Sequence, residues 1–519
     1  MSQSILSALV FLPVLGAIFV AVTPRENVLT QKLLGMGMSL VVFGLSLWML
    51  AAFQLFPGMQ FEVNRPWLPQ YGIAYHIGVD GLSLWLIVLL SFLTPISLLA
   101  SWNSIDSRVR EFNVFMLLLE AGMIGVFVSL DLFLFYIFWE AMLIPMYFLI
   151  GIWGHQRRIY AAVKFFLYTM AGSVLMLVGF LVLYQATGSQ SFDLAVLARS
   201  PVDPALQMWL FAAFALAFAI KVPMFPFHTW LPDAHVEAPT AGSVILAGVL
   251  LKMGGYGFLR LAIPLFPDAA ARFAPWIGTL AVIGIIYGAL VSLVQTDMKK
   301  LVAYSSVSHL GFVMLGIASF TTAGVVGAVY QMINHGISTG ALFLCVGMLY
   351  DRRHTHLISE FGGIKTVMPW FSALFLGMCL SSMAVPGFNG FVGEFLILVG
   401  SWSFSPTLVA LASLGVILAA AYLLWMVQRV LYGEVTNPKN RSLPDLSVRE
   451  WVVLGPMVLL ALFMGVASPL FTRSIEPSVD SMILKVETHR KAAAAAARAR
   501  EVAPPVAPAP QPLGGERPR

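Results

Sequence analysis

Long apolar segments, separated by short polar connections, run through almost the whole chain. A segment of about 18 or more apolar residues is long enough to cross a lipid bilayer as a helix. We count fourteen such segments, near residues 4–22, 32–56, 81–102, 112–130, 132–153, 160–184, 206–230, 240–263, 274–295, 301–319, 323–349, 367–398, 406–432 and 451–471. The pattern therefore predicts an all-α polytopic membrane protein with about fourteen transmembrane helices.

Two segments depart from this pattern. Residues 57–79 mix turn residues with short alternating apolar pairs, which predicts a hairpin outside the membrane. After the last apolar segment, residues 475–500 can form a helix, and the proline-rich residues from 502 onward are typical of disorder. We expect neither segment to cross the membrane.

Composition narrows the function to classes that suit a membrane protein. Hydrophobic residues make up 59% of the chain and charged residues 11%, against about 25% charged in soluble domains. The two cysteines, Cys345 and Cys379, lie in apolar runs without a CxxC motif, which argues against a disulfide, an iron–sulfur cluster or covalent haem. The sequence has no Walker motif and no dinucleotide glycine fingerprint, so neither ATP-driven nor NADH-binding chemistry is expected here.

Positive charge is distributed unevenly between the connections. Odd-numbered connections hold fifteen Lys and Arg residues, whereas even-numbered ones hold four, namely Arg65, Arg199, Arg260 and Arg272. Because Lys and Arg concentrate in cytoplasmic loops, we predict that the odd connections are cytoplasmic and that both termini lie outside. The basic tail after residue 472 runs against this trend.

Apart from groups near the ends of spans, eight ionisable residues fall inside the predicted spans, all between the fourth and the thirteenth. The first three spans and the last are nearly free of charge, as expected of peripheral helices. A charge at mid-bilayer costs roughly 2.5–3.5 kcal/mol on insertion scales, so such residues usually serve a function. Lysine, histidine and glutamate in one membrane layer suit proton transfer, because burial moves lysine and glutamate pKa values toward neutrality and histidine titrates there already. The eight are Glu120, Glu140, Lys221, Lys252, His309, His335, Glu394 and Arg429.

Each of these residues also has a structural alternative. Glu140 could simply hydrogen-bond a neighbouring helix, and the two histidines could be satisfied core residues. Lys221 and Lys252 could extend to the interface as snorkelling side chains, although both lie several residues from a connection. Arg429 lies near a span end and is predicted to be an anchor.

Two spans carry the same interruption. Val222-Pro223-Met224-Phe225 lies in the seventh span and Val385-Pro386-Gly387-Phe388 in the twelfth. The two spans are five apart in chain order, and because five is odd, the two segments cross the membrane in opposite directions. Paired interruptions in inverted halves indicate a transport site, and each has an ionisable neighbour: Lys221 before the first break and Glu394 after the second.

The residues after the first break resemble metal ligands by type. They are His228, Asp233, His235 and Glu237. Their spacing lacks a regular HxxxH helical pattern and two prolines interrupt it. We predict a loop that shapes the cytoplasmic entrance rather than a metal site.

Six stretches together resemble the antiporter-like membrane subunits of respiratory complex I and their Mrp-type cation/proton antiporter relatives. The most specific of them is HTWLPDAHVEAPT, and the six lie at 135–151, 219–240, 248–260, 297–312, 331–343 and 386–395. The resemblance implies fourteen helices with two inverted five-helix repeats, each containing a broken helix. We accordingly predict five parts: peripheral helices 1–3 with the hairpin (1–110), the first repeat (111–270), the second repeat (271–432), the last helix (433–472) and the partly disordered tail (473–519).

The resemblance also implies roles for single residues. Glu140 would partner Lys221, Lys252 would be the central relay lysine, and Glu394 would end the relay. His309 and His335 would line the polar axis that links them, with Glu120, Pro223 and Pro386 in support. Glutamate at position 394 is typical of one branch of the complex I members, whereas lysine is typical of the other branches and of Mrp subunits.

Several expectations about partners follow from the same resemblance. The chain would be a proton-translocating, non-redox subunit of an NADH:quinone oxidoreductase in a bacterial inner membrane, with its termini on the periplasmic side. It would hold no cofactor or metal, while NADH, FMN, iron–sulfur clusters and quinone would bind to partner subunits. Its neighbours would be lipid and the other membrane-arm chains, with no nucleic acid. The alternatives are an Mrp-type antiporter subunit, a stand-alone solute carrier and a structural scaffold.

Overall fold

The computed structural model describes residues 4–188 and 191–502, and helices dominate this part of the chain. One two-stranded sheet interrupts them. In chain order the elements are α1 Ile5–Val22, α2 Val28–Ala52, β1 Gln60–Leu68, β2 Ile73–Val79, α3 Leu84–Ala100, α4 Val109–Val128, α5 Leu132–Ala141, α6 Leu143–Trp153, α7 Arg158–Ala186, α8 Leu194–Leu197, α9 Pro204–Lys221, α10 Trp230–Glu237, α11 Thr240–Ile245, α12 Leu251–Gly257, α13 Ile263–Leu265, α14 Pro267–Leu293, α15 Met298–Ala318, α16 Thr322–Arg353, α17 Ile364–Val367, α18 Pro369–Ser382, α19 Asn389–Ser401, α20 Pro406–Leu431, α21 Val448–Val466 and α22 Pro469–Val502.

Twelve helices in the described part of the chain are long and apolar enough to cross a membrane, counting α5 with α6 and α11 to α13 as single spans. Shorter apolar helices are α3, α18 and α19. The membrane fold is thereby confirmed, whereas the count of fourteen stays a prediction. Burial distinguishes central from peripheral helices. In the 18-residue apolar stretch of each helix, 100% of the residues are buried in α16 and 94% in α15, against 28% in α2.

Helix α3 corrects one expectation. Its lack of charge led us to predict a peripheral helix, and this is wrong. Most of its side chains are buried, including Leu86, Leu90 and Leu93, because it packs against α2, α4, α11 and α16. An uncharged helix can therefore be central in a membrane protein, since apolar contacts with other helices and with lipid have the same sequence signature.

Both predicted interruptions are present. The first half-helix ends at Lys221 and the chain resumes its helical path at Trp230, so the predicted span 206–230 is too long at its end. The second pair is α18, which ends at Ser382, and α19, which begins at Asn389. Proline explains each break, because it cannot donate the backbone hydrogen bond that a continuous helix needs.

The helix that carries Lys252 is irregular and closely packed. Two π-helical turns, Leu246–Leu250 and Phe258–Ala262, flank α12. Gly254 lies against the first break: a Cβ there would be 2.6 Å from the carbonyl oxygen of Phe218 and 2.8 Å from the amide nitrogen of Val222. Only glycine allows this approach, which brings the backbone near Lys252 against the end of α9.

The connections gather on two opposite faces. On one, the Leu130 amide donates to the His76 carbonyl at 2.9 Å and the Gly81 amide to the Ser478 hydroxyl at 2.9 Å. We call this side, which carries β1, β2, α8 and the first half of α22, the hairpin face. On the other, the His155 amide donates to the Glu237 carbonyl at 2.9 Å. These contacts join even connections to one another and to α22, and odd connections to one another, while the compartment that each face meets stays a prediction.

The residues after the last span form a single long helix. It was predicted over 475–500, and α22 begins earlier, at Pro469, and extends to Val502. Phe471, Ile475 and Val479 bury one face of this helix against the body of the protein, where it contacts α13, α14 and α16. The predicted proline-rich segment beyond residue 502 lies outside the described residues.

The predicted hairpin is confirmed, and His76 links it to Asp193, the residue before α8. The strands β1 and β2 are antiparallel. His76 Nδ1 lies 2.5 Å from the Asp193 carboxylate and its Nε2 lies 2.8 Å from the Glu62 carboxylate. Burial lowers the pKa of His76, but the bonds to Asp193 and Glu62 outweigh it, so the pKa is raised overall.

We expect this attachment to weaken as pH rises. A histidine whose pKa is higher in the folded state stabilises the fold fully below its unfolded pKa of about 6.5, and this stabilisation is lost as pH rises through the folded pKa. Hydrogen exchange of residues 60–79 should therefore speed up between pH 6 and pH 9 beyond the intrinsic chemical rate. His76→Gln should exchange fast at both pH values. A wild-type hairpin with the same protection at both would contradict the role of His76.

Candidate functional site

Lys221 is the last residue of α9, and the first break begins directly after it. Its side chain is 1% exposed. The ammonium lies 3.9 Å from the sulfur of Met142 and 5.3 Å from the centre of the Trp139 ring. The break leaves the Ile220 carbonyl without its helical donor, and the Trp230 indole donates to it at 2.9 Å. Lys221 is thus held by aromatic and sulfur contacts at the point where the backbone leaves the helix.

Glu140 lies in the segment that Lys221 contacts. It is next to Trp139 near the end of α5, and its Oε1 is buried without a hydrogen-bond partner. The carboxylate and the Lys221 ammonium interact electrostatically, but the structure places them without a direct ion pair. Glu140 and Lys221 therefore lie close enough to interact, as predicted, but they do not form a direct ion pair.

Lys252 is the centre of the second group. It is fully buried, and its Nζ donates to the Ala247 carbonyl, which belongs to the π-helical turn before α12. The same Nζ lies 2.6 Å from His335 Nδ1 on α16. Turns of this type often occur at functional sites, and here the turn supplies a carbonyl that orients the lysine toward the histidine.

His309 and Glu394 form the next contact. His309 Nδ1 lies 2.8 Å from Glu394 Oε1, and both side chains are buried. The His309 and His335 rings are 6.0 Å apart between their centres. On its other side, His309 Nε2 lies 3.2 Å from both the Ser382 and the Tyr422 hydroxyls. Four predicted residues, Lys252, His335, His309 and Glu394, therefore follow one another in a buried line.

The second break supports the end of this line. Gly387, beside Pro386, has a φ of +97°, which only glycine adopts readily. The carbonyl of Asn389, the first residue of α19, accepts from the Asn334 side-chain amide at 2.8 Å, and Asn334 donates to Gln331 as well. Gln331 in turn donates to Glu394 Oε1 at 3.1 Å. The break and the carboxylate are thus joined through two amide side chains of α16.

Residues 129–419 match the family model described as NADH:quinone oxidoreductase/Mrp antiporter, TM. The chain belongs to this family. NADH-quinone oxidoreductase subunit M of Rhodobacter capsulatus is 46% identical over 93% of this chain and 96% of its own length. NADH-ubiquinone oxidoreductase chain 4 of Marchantia polymorpha is 44% identical over 92% of this chain and 97% of its own length.

A solved structure gives the same answer. The chain aligns with one from the respiratory complex I of Thermus thermophilus with bound NADH, with a TM-score of 0.86 and 34% identity over 94% of this chain and all of that one. Within the family, the subunit M relatives confirm the branch that glutamate at position 394 indicated. The buried line is therefore built on the fold of an antiporter-like subunit of the complex I membrane arm.

Two further predicted ionisable positions, Glu120 and Arg429, lie apart from the buried line, and Arg260, which was not among them, is largely buried. Glu120 on α4 is fully buried, and both carboxylate oxygens lack a hydrogen-bond partner. Arg429 is partly exposed and bonds the Trp425 carbonyl in its own helix, as an anchor would. Arg260, counted from the sequence among the connections, instead continues the helix that carries Lys252.

The segment after the first break also differs from its prediction. Residues 230–237 form the helix α10 and not a loop. Asp233 pairs with Lys164 at 2.7 Å, and the Glu237 carboxylate accepts from the Arg157 amide at 2.8 Å. His235 stacks on Phe343 with 4.4 Å between ring centres. Among the described residues, no group of three or more His, Cys, Asp or Glu side chains could hold a metal ion.

Some contacts of the line escaped the sequence reasoning. Gln331, Ser382 and Tyr422 all touch His309 or Glu394, yet we did not single them out as site residues. Gln331 had an available signal, because it lies four residues before His335 and so on the same helical face. Ser382 and Tyr422 come from α18 and α20, and no local pattern links those helices to His309.

Proposed function

We propose that this chain is a proton-translocating membrane subunit of an NADH:quinone oxidoreductase. The observation that carries the proposal is the buried line from Lys252 through His335 and His309 to Glu394. NADH oxidation and quinone reduction take place in partner subunits, and this chain uses their free energy to move protons. It assembles with other membrane-arm chains, and its hairpin face and termini meet the periplasm of a bacterial cell.

The chemistry of the line suits proton transfer. Lys252 is a donor to His335 Nδ1, and an imidazole can accept a proton at one nitrogen and release one from the other. His335 Nε2 is buried without a partner. The 6.0 Å between the two ring centres is a gap that one bridging water molecule would span. His309 then passes a proton from Nδ1 to Glu394 Oε1.

The Glu140–Lys221 pair controls entry to this line. A nearby carboxylate favours the charged form of a buried lysine, and its loss favours release of the proton. Since the two groups are separated in the structure, their distance can change without breaking a closed ion pair. A conformational change in a partner that moves α5 relative to α9 would thus load or release the proton on Lys221.

The antiporter reading remains the main alternative, with sodium or potassium exchanged for protons by the same residues. The relatives at 46% and 44% identity carry complex I names, which supports the proton pump. No observation on this chain favours the antiporter. Proton pumping that is unchanged when choline replaces sodium and potassium would support the proton pump and contradict the antiporter.

Glu140→Gln tests the proposal in the native membrane. We expect NADH-driven acidification of inside-out vesicles to fall by roughly tenfold or more, because positioned proton-transfer groups typically contribute about 10²–10⁴-fold. NADH oxidation by an artificial acceptor should persist, which would show that the complex assembles. Unchanged acidification would mean that Glu140 is structural and would favour the antiporter function.

A further inference from the structure

A buried ion pair lies on the hairpin-face side of the helix that carries Lys252. Arg260 follows Lys252 by eight residues, about 12 Å along a helix. Its guanidinium bonds the Asp80 carboxylate, and the two side chains are only 10% and 7% exposed. Asp80 immediately follows β2, so the pair joins the hairpin connection to the relay helix.

Tyr256 separates this pair from Lys252. It lies one turn after Lys252 and one turn before Arg260, and it is 1% exposed. Arg260 Nε donates to its hydroxyl at 3.1 Å, and the hydroxyl donates to the Phe127 carbonyl at 2.9 Å. The single proton of the hydroxyl is therefore committed to a backbone carbonyl, and its neighbour is a guanidinium that does not give up a proton in proteins.

A cavity lies directly beyond the pair. It has a volume of about 560 Å³ and is lined by residues that include His76, Asp80, Arg199, Arg260 and Lys485. Arg199 and Lys485 are exposed, so the cavity communicates with the hairpin face. Removal of the Arg260 side chain would let water approach to within about two helical turns of Lys252, roughly 11 Å.

We propose that Arg260, held between Asp80 and Tyr256, seals the first half of the chain against proton exit through the hairpin face. Its guanidinium keeps its protons, so it interrupts proton transfer from Lys252 toward the cavity. A proton on Lys252 is thereby directed through His335 to Glu394. This inference rests on the proposed function, because it assigns a direction to the same relay.

The seal is tested by passive proton leak, which needs no NADH. The purified complex would be placed in liposomes with an internal pH dye, and a potassium diffusion potential would drive protons inward. We expect Arg260→Gln to raise the leak severalfold and Arg260→Gln with Lys252→Met to return it close to wild type. Arg199→Gln, which removes the same charge from the exposed rim of the cavity, should leave the leak and pumping unchanged.

A second variant keeps the test decisive if Arg260→Gln fails to assemble. Arg260→Lys retains the charge opposite Asp80, but a buried ammonium can release its proton, so this variant should leak as well and by a smaller factor. The seal is overturned if neither variant leaks more than Arg199→Gln, or if Lys252→Met does not suppress the leak. Failure of the relay itself would appear separately, as normal pumping in Glu140→Gln.

Discussion

Lys252→Met is expected to stop NADH-driven proton pumping through this chain while the complex still assembles. Methionine matches the apolar stem of lysine and leaves the buried site without a proton carrier, so the contact with His335 Nδ1 at 2.6 Å is lost. We expect the initial rate of vesicle acidification to fall by about tenfold or more. The measurement is the initial rate of vesicle acidification after NADH is added, with artificial-acceptor activity as the measure of assembly.

Lys252→Arg separates the relay from a purely electrostatic role. Arginine keeps the positive charge and can donate to the Ala247 carbonyl, yet it holds its proton at every pH at which the protein is folded. If Lys252 must release a proton, the arginine variant should pump as poorly as Lys252→Met. Normal pumping with arginine would show that only the charge matters and would remove the central step of the relay.

The sequence was sufficient for the breaks and their charged neighbours. Pro223 and Pro386 interrupt apolar spans, and proline has the same local effect in any surroundings. Lys221 and Glu394 were found because a charge inside a span is costly enough to need a reason. These are local signals, and they identified both halves of the site before any contact was known.

The contacts between helices could not be obtained in this way. Nothing near Lys252 indicates that its partner is His335, 83 residues later, or that a π-helical turn supplies the Ala247 carbonyl. Arg260 is the clearest case. The charge count treated it as a connection residue, whereas the structure buries it because Asp80, 180 residues earlier, lies opposite.

Burial was also harder to predict than membrane insertion. Hydropathy found α3 as a span but could not tell that it lies among other helices rather than in lipid, since both environments are apolar. Ionisable residues gave a better guide, because the three most buried spans, α15, α16 and the helix of Lys252, each hold one of the eight. Charge, and not hydropathy, thus marked the centre of the protein.

Glu394→Gln should stop proton transfer at the last residue of the buried line. Glutamine has nearly the same shape and can still hydrogen-bond His309 and Gln331, so the fold around the second break should persist. It cannot take up and release a proton, and we therefore expect acidification per NADH to fall by about tenfold or more. The check is the vesicle assay, alongside artificial-acceptor activity.

Glu394→Asp is the matched control for that variant. It keeps a titratable carboxyl but shortens the side chain by one methylene, so it lengthens the 2.8 Å contact with His309 Nδ1 without removing the proton carrier. The pumping rate of Glu394→Asp should lie between those of wild type and Glu394→Gln, because a water molecule can bridge the shortened carboxyl and His309 Nδ1. If glutamine pumps as well as aspartate, Glu394 only positions His309, and the proton leaves the line before reaching the second break.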